Sequence, residues 1–150
     1  MDTYTPPYVY NAIQTPDGTV IESRHRHDYV TYEDANGKQY MVDGGLEYLR
    51  RNHQPEHPYR ELSVRSDAPF EQIRKVFAWG SYGKDGKQPL RWVRLCDMSD
   101  QHLKAVMDHV SERFDWTTKL FATEISFRHN HEIVITEPNS KIPNNNDKYV

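Results

Sequence analysis

Two short stretches in the first third of the chain leave its backbone little choice. Pro16-Asp17-Gly18 presets one φ and then supplies a residue that tolerates positive φ, so the chain turns there. Ala35-Asn36-Gly37-Lys38 carries the Asn-Gly pair demanded by two-residue hairpin turns. Between and beyond these turns the residues alternate with period two, which predicts strands over Thr19–Arg26, Tyr29–Glu33 and Gln39–Val42. In the first of these, Val20, Glu22, Arg24 and Arg26 share one face, while Ile21, Ser23, His25 and His27 share the other. Both faces are mixed, so this strand borders a polar region. Asp43-Gly44-Gly45 then permits a bend that side chains would forbid, and Leu46–Arg51 fits either a short helix or a strand.

The remaining segments follow from periodicity and caps. Residues 1–7 hold Pro6-Pro7 and read as an extended arm before a first strand, Tyr8–Ile13. Asn52–Arg60 is a loop, and Glu61–Val64 a short strand. Ser66 or Asp67 can cap a helix with Pro69 in its first turn and an apolar stripe of Phe70, Ile73, Val76 and Phe77, which Trp79-Gly80 would end. Ser81–Gln88 is a basic glycine loop, and Leu90–Leu95 an alternating strand. From Asp97 or Ser99, Leu103, Val106, Met107 and Val110 give a helical stripe, with Met98 placed to staple onto Leu103. A last helix is expected over Asp115–Phe127, packing through Trp116, Leu120, Phe121 and Ile125, with His131–Thr136 returning to a sheet edge. The sum is a single α+β domain over 1–137, an N-terminal antiparallel β-sheet packed by two or three C-terminal helices, and a disordered polar tail over 138–150.

Composition bounds what such a domain can do. With 150 residues the chain buries about two-thirds of its unfolded surface. Nineteen basic against 22 acidic residues give a net charge of -3, a poor match for a nucleic-acid duplex. Cys96 has no second cysteine for a disulfide or a zinc knuckle, which suits a reducing cytosol. No apolar run is long enough to span a bilayer, and the N-terminus lacks the basic and apolar regions of a signal peptide, so no membrane is expected. Ten Tyr, three Trp and five Phe supply rings that either pack or stack on planar ligands.

Four constellations bear on chemistry. His25-x-His27-Asp28 and His129-x-His131-Glu132 have metal-ligand spacing, but Arg24 and Arg26 interleave with the first pair and oppose a divalent cation, so packing or hydrogen-bonded histidines are the favoured reading. Cys96 lies in no nucleophile motif and no Ser lies in G-x-S-x-G, which argues against a hydrolase or transferase. Gly80-Ser-Tyr-Gly83-Lys84-Asp-Gly86-Lys87 lacks the P-loop spacing and is either an anion-binding nest or an ordinary connection. Arg24, Arg26, Arg50 and Arg51, with Tyr and Trp nearby, can bind phosphate bidentately and cover a base, or form a solvated charged sheet face.

The stretches PDGTVIESRHRHDYVTY, NGKQYMVDGGLEYLRR, FEQIRKVFAWGSYGKDGKQPL, VRLCDMSDQHLKAVM and KLFATEISFR, covering roughly Thr15 to Arg128, resemble a family of small proteins of tailed bacteriophages and prophages. The same pattern resembles the Thoeris anti-defence sponges. That resemblance implies a non-enzymatic homo-oligomer in the host cytoplasm, without cofactor. It would sequester cyclic ADP-ribose isomers made by bacterial TIR proteins, and sometimes cyclic oligonucleotides. Arginines for the phosphates and rings for adenine then select Arg24, Arg26, Arg50, Arg51, Phe77, Trp79, Arg113 and Arg128, chosen on chemistry and motif position. The Asn-rich tail and the two-Pro arm depart from the core pattern and leave the mode of assembly open. The alternative is a phage accessory protein that binds a host protein or single-stranded nucleic acid through the same basic, aromatic face; a metal-dependent enzyme built on His25 and His27 is third.

Overall fold

The computed structural model describes residues 4–52, 58–83, 86–110 and 116–136, and all structural statements below concern these. The fold is α+β, and its contacts divide the chain into two compact units, Met1–Phe77 and Ala78–Val150. Arg113 and the tail lie outside the described residues.

The first unit contains β1 (Tyr8–Tyr10), β2 (Ala12–Gln14), β3 (Val20–Glu22), β4 (Val30–Glu33), β5 (Gln39–Asp43), β6 (Arg50–Arg51), β7 (Arg60–Glu61), β8 (Val64–Arg65) and the single-turn helix α1 (Phe70–Ile73). These strands form small antiparallel sheets in the orders β1-β8, β3-β2-β7 and β4-β5-β6, rather than one continuous sheet. The reason is visible at Asn11. The anticipated strand Tyr8–Ile13 breaks there, so that Tyr8–Tyr10 pairs with β8 whereas Ala12–Gln14 pairs with β3 and β7. The Asn-Gly hairpin forms as anticipated. The Asp34 carboxylate accepts from Asn36 N and Lys38 N at 2.9 Å each, and Gly37 takes φ +78°. β4 and β5 then run in register, with Tyr32 opposite Tyr40 and the two rings stacked 6.5 Å apart. Ile13, Ile21, Tyr40 and Val42 form the core of this unit, and Val30, Tyr32 and Tyr59 pack against it.

Local readings needed correction at α1. Neither Ser66 nor Asp67 caps it; Pro69 stands at the N-cap, without a side-chain hydrogen bond, and α1 closes after Ile73. Trp79-Gly80 is not its end but part of β9 (Ala78–Ser81), which opens the second unit and pairs residue for residue with β10 (Arg91–Arg94). A 3-10 turn, Leu95–Asp97, leads into α2 (Asp100–Val110), where Ser99 Oγ accepts from His102 N at 2.9 Å as the first-turn cap. Leu103, Val106 and Val110 are buried, and so is Met98. The last helix, α3 (Trp116–Asn130), buries Leu120, Phe121, Glu124 and Arg128, leaving Ile125 at 45% exposure. Spacing of four keeps 120, 124 and 128 on one helical face with Phe121 at its edge, and puts residue 125 about 40° beyond Phe121, outside it. Trp79 docks the hairpin on both helices, edge-on to Phe121 at 5.5 Å and to His109 at 6.5 Å. His131–Thr136 forms no strand. Glu132 takes φ +56° and the segment is tied down instead by Ile133 N to Arg128 O and by Asp100 N to Ile135 O.

Candidate functional site

In the first unit, two loops that the sequence kept separate meet backbone to backbone. The Arg/His knot does not continue β3. After Glu22 the chain turns, with Asp28 N donating to His25 O and Asp28 Oδ2 accepting from Arg24 N at 2.7 Å. The second loop, from Asp43 to Tyr48, uses Gly44 at φ +104° and Gly45 at φ +54°. A Cβ on Gly45 would lie 2.3 Å from the carbonyl carbon of His25, and one on Gly44 would lie 1.9 Å from Tyr48 O. Two glycines are therefore required for approach as much as for φ.

Buried polar side chains lock this double loop. Asn11, fully buried, places its amide nitrogen 3.0, 2.9 and 3.2 Å from the carbonyls of Asp43, Gly45 and Tyr48. Ser23 Oγ donates to Asp28 O at 2.7 Å and accepts from Gly45 N at 2.9 Å, joining the loops directly. Asp43 turns one carboxylate oxygen to Gly44 N and the other toward Arg50, 3.4 Å away. With its backbone groups satisfied internally, the double loop is held in one arrangement. Its exposed side chains are His25, Arg26, His27, Tyr29, Glu47, Tyr48 and Arg50.

The candidate residues separate into those available to a ligand and those already committed. Arg26 is exposed and, among the described residues, engages no side-chain partner; Arg50 is 63% exposed and holds only the long contact to Asp43. Arg24 is half-buried, lies over the Tyr10 ring at 5.3 Å, pairs with Glu22 and donates to Val76 O. Arg51 is bound to both oxygens of Glu61, to Asn11 Oδ1 at 2.8 Å and to Ser63 Oγ. Phe77 is buried. Trp79 is the docking ring of the second unit described above. Arg128, also buried, donates Nε to Glu124 at 2.8 Å, one terminal nitrogen to Asp100 at 2.9 Å and the other to Leu95 O at 3.0 Å, so each nitrogen is occupied.

No family model, curated protein or solved structure matches this chain.

The other constellations resolve on geometry. His25 and His27 lie in a turn, not on a strand face, and no group of three or more His, Cys, Asp or Glu that could hold a metal occurs among the described residues. The glycine loop joins two strands of a hairpin, not a helix to a strand. Among its described residues three N–H groups are bonded within the loop, Gly83 N to Ser81 Oγ, Gly86 N to Gly83 O and Gln88 N to Tyr82 O, which leaves these donors unavailable to a phosphate. Among the described residues no helix is long and apolar enough to cross a membrane. Sequence reasoning missed Asn11, Ser23 and Asp43 as the clamps, and Tyr29 and Tyr48 as exposed rings. Asn11 carried a signal, a polar residue in the middle of the strand-forming run Tyr-Val-Tyr-Asn-Ala-Ile.

Proposed function

We propose that the protein is a phage-type anti-defence sponge that captures a cyclic ADP-ribose-type or cyclic nucleotide signal without cleaving it, and that the double loop is where it does so. The carrying observation is that Arg26, Tyr29, Tyr48 and Arg50 are all exposed in or next to two loops whose backbone is clamped by Asn11 and Ser23. Guanidinium forks suit a pyrophosphate, and phenol rings suit a base. Each charge-assisted contact contributes about 1.5–3 kcal/mol, and a preorganised site loses little of this to ordering. Arg50 reaches the buried Asp43 carboxylate only at 3.4 Å, and its guanidinium otherwise faces solvent. Host cytoplasm and assembly into a homo-oligomer belong to the same proposal, and both rest on the resemblance of the motifs.

The test is incubation of the purified protein with TIR-produced cyclic ADP-ribose isomers, filtration, and heat denaturation of the retained fraction. Ligand depleted from the filtrate and recovered intact on heating supports capture. Ligand destroyed on incubation means catalysis, and ligand never depleted sinks the proposal and favours a protein or single-stranded nucleic-acid partner for the same face.

A further inference from the structure

The second unit holds a cleft of about 370 Å³ between α2 and α3, lined by Leu103, Met107, Ile125 and Ile133 with Asp100, Lys104, Arg128 and His129. Its volume is in the range of small-molecule sites. Its walls are aliphatic. Ile125 is exposed into it because residues 120, 124 and 128 of α3 take the buried face, and Ile133 is brought over it by the bond from Ile133 N to Arg128 O at 2.9 Å.

Among the described residues, one cation at this cleft is left without a partner. Arg128 sits between two carboxylates, Asp100 at 2.9 Å and Glu124 at 2.8 Å, and donates its last nitrogen to Leu95 O. Lys104 is exposed, lies one turn along α2 from Asp100 and, among the described residues, has no ion pair. His129 also lines the cleft. The one guanidinium among these lining residues, Arg128, is engaged at every nitrogen, and the one ring is the imidazole of His129. An aliphatic body with one negative group finds both of its needs met.

We infer that this cleft binds a small amphipathic carboxylate, its alkyl part between Leu103, Met107, Ile125 and Ile133 and its carboxylate at Lys104. The inference stands apart from the double loop and survives if that surface captures nothing.

The full chain is titrated with decanoate, decanol and decyltrimethylammonium, each below its micelle concentration, while amide resonances are followed by NMR. Decanoate is expected to shift amides of α2 and α3 around the cleft and to bind more tightly than decanol, with the cationic amphiphile weakest. Lys104→Met lies at an exposed position and leaves the fold intact; it should weaken decanoate about fivefold, the worth of one partly solvated ion pair, without changing decanol. Ile125→Trp should fill the cleft and abolish both. Equal affinity for the three probes, an unchanged decanoate affinity in Lys104→Met, or shifts confined to other regions would each overturn the assignment. So would cleft resonances that move on dilution without any probe, which would give the cleft to a second copy of the chain.

Discussion

Asn11 and Arg128 do the same task in different ways. Each is a polar side chain buried where distant stretches of chain converge, and each donates to backbone carbonyls far from it in the chain. Asn11 is neutral and works on three carbonyls with its amide nitrogen, while its oxygen accepts from Arg51. Arg128 is ionic and is tolerated inside only because Glu124, itself fully buried, and Asp100 offset it. Around the neutral clamp Arg51 is enclosed but Arg26 and Arg50 face solvent, whereas the ionic clamp takes up Glu124 and Asp100. The first arrangement builds a surface that can bind; the second builds a support.

Removing the countercharge is the sharpest way to break this comparison. Glu124→Ala leaves Arg128 buried with only its partner at the rim, and is expected to cost about 3–5 kcal/mol in urea unfolding. The pair replaced together, Glu124→Leu with Arg128→Met, should recover most of that loss, because the desolvation of both charges disappears with them. A single variant within 1 kcal/mol of the parent, or a double variant as damaged as the single, would deny the ionic clamp its role.

Asn11→Ala is expected to cost about 3 kcal/mol, since the carbonyls of Asp43, Gly45 and Tyr48 lose a shared donor in a buried place. Gly45→Ala should cost a similar amount by a different route, the clash with His25, and unlike Asn11→Ala it forces the loops apart directly. Both variants are expected to abolish ligand capture in the filtration assay at temperatures where the rest of the fold persists. Capture unaffected by either would separate the double loop from binding.

A third expectation concerns pH and the second unit. His102 is buried, and burial, helped by Arg91, pushes its pKa down to about 4 from 6.5. The unfolded chain takes up this proton near 6.5 and the fold only near 4, so protonation favours unfolding; stability rises with pH through that window and is lost as pH falls through it. The full loss is up to about 3 kcal/mol. Stability measured from pH 7 to pH 4 should therefore decline, and His102→Gln should flatten the slope; an identical slope in the variant would assign it elsewhere.

The smallest effect on stability carries the most functional meaning. Arg26→Ala and Arg50→Ala are expected to stay within about 0.5 kcal/mol of the parent, as exposed positions do, while weakening capture tenfold or more each. Arg51→Ala provides the contrast. It should destabilise the fold, because Arg51 bridges Glu61, Asn11 and Ser63, and any loss of capture should follow that loss of stability.

The sequence by itself determined the turns at Pro16–Gly18 and Asn36-Gly37, the hairpin between β4 and β5, and the face of α2 that carries Leu103, Val106 and Val110. Backbone preferences and side-chain periodicity act over a few residues, and these elements need nothing more distant. The tertiary structure alone decided that Tyr8–Ile13 would break at Asn11, that Glu124 and not Ile125 would be buried, and that the Arg/His turn would rest on Gly45. It also divided the candidate arginines, leaving Arg26 and Arg50 outward while enclosing Arg51 and Arg128. The bonds that made those choices span 32 residues from Asn11 to Asp43 and 33 from Arg128 to Leu95. A buried polar group is satisfied by whatever the fold brings to it, and that partner is written nowhere near it in the chain.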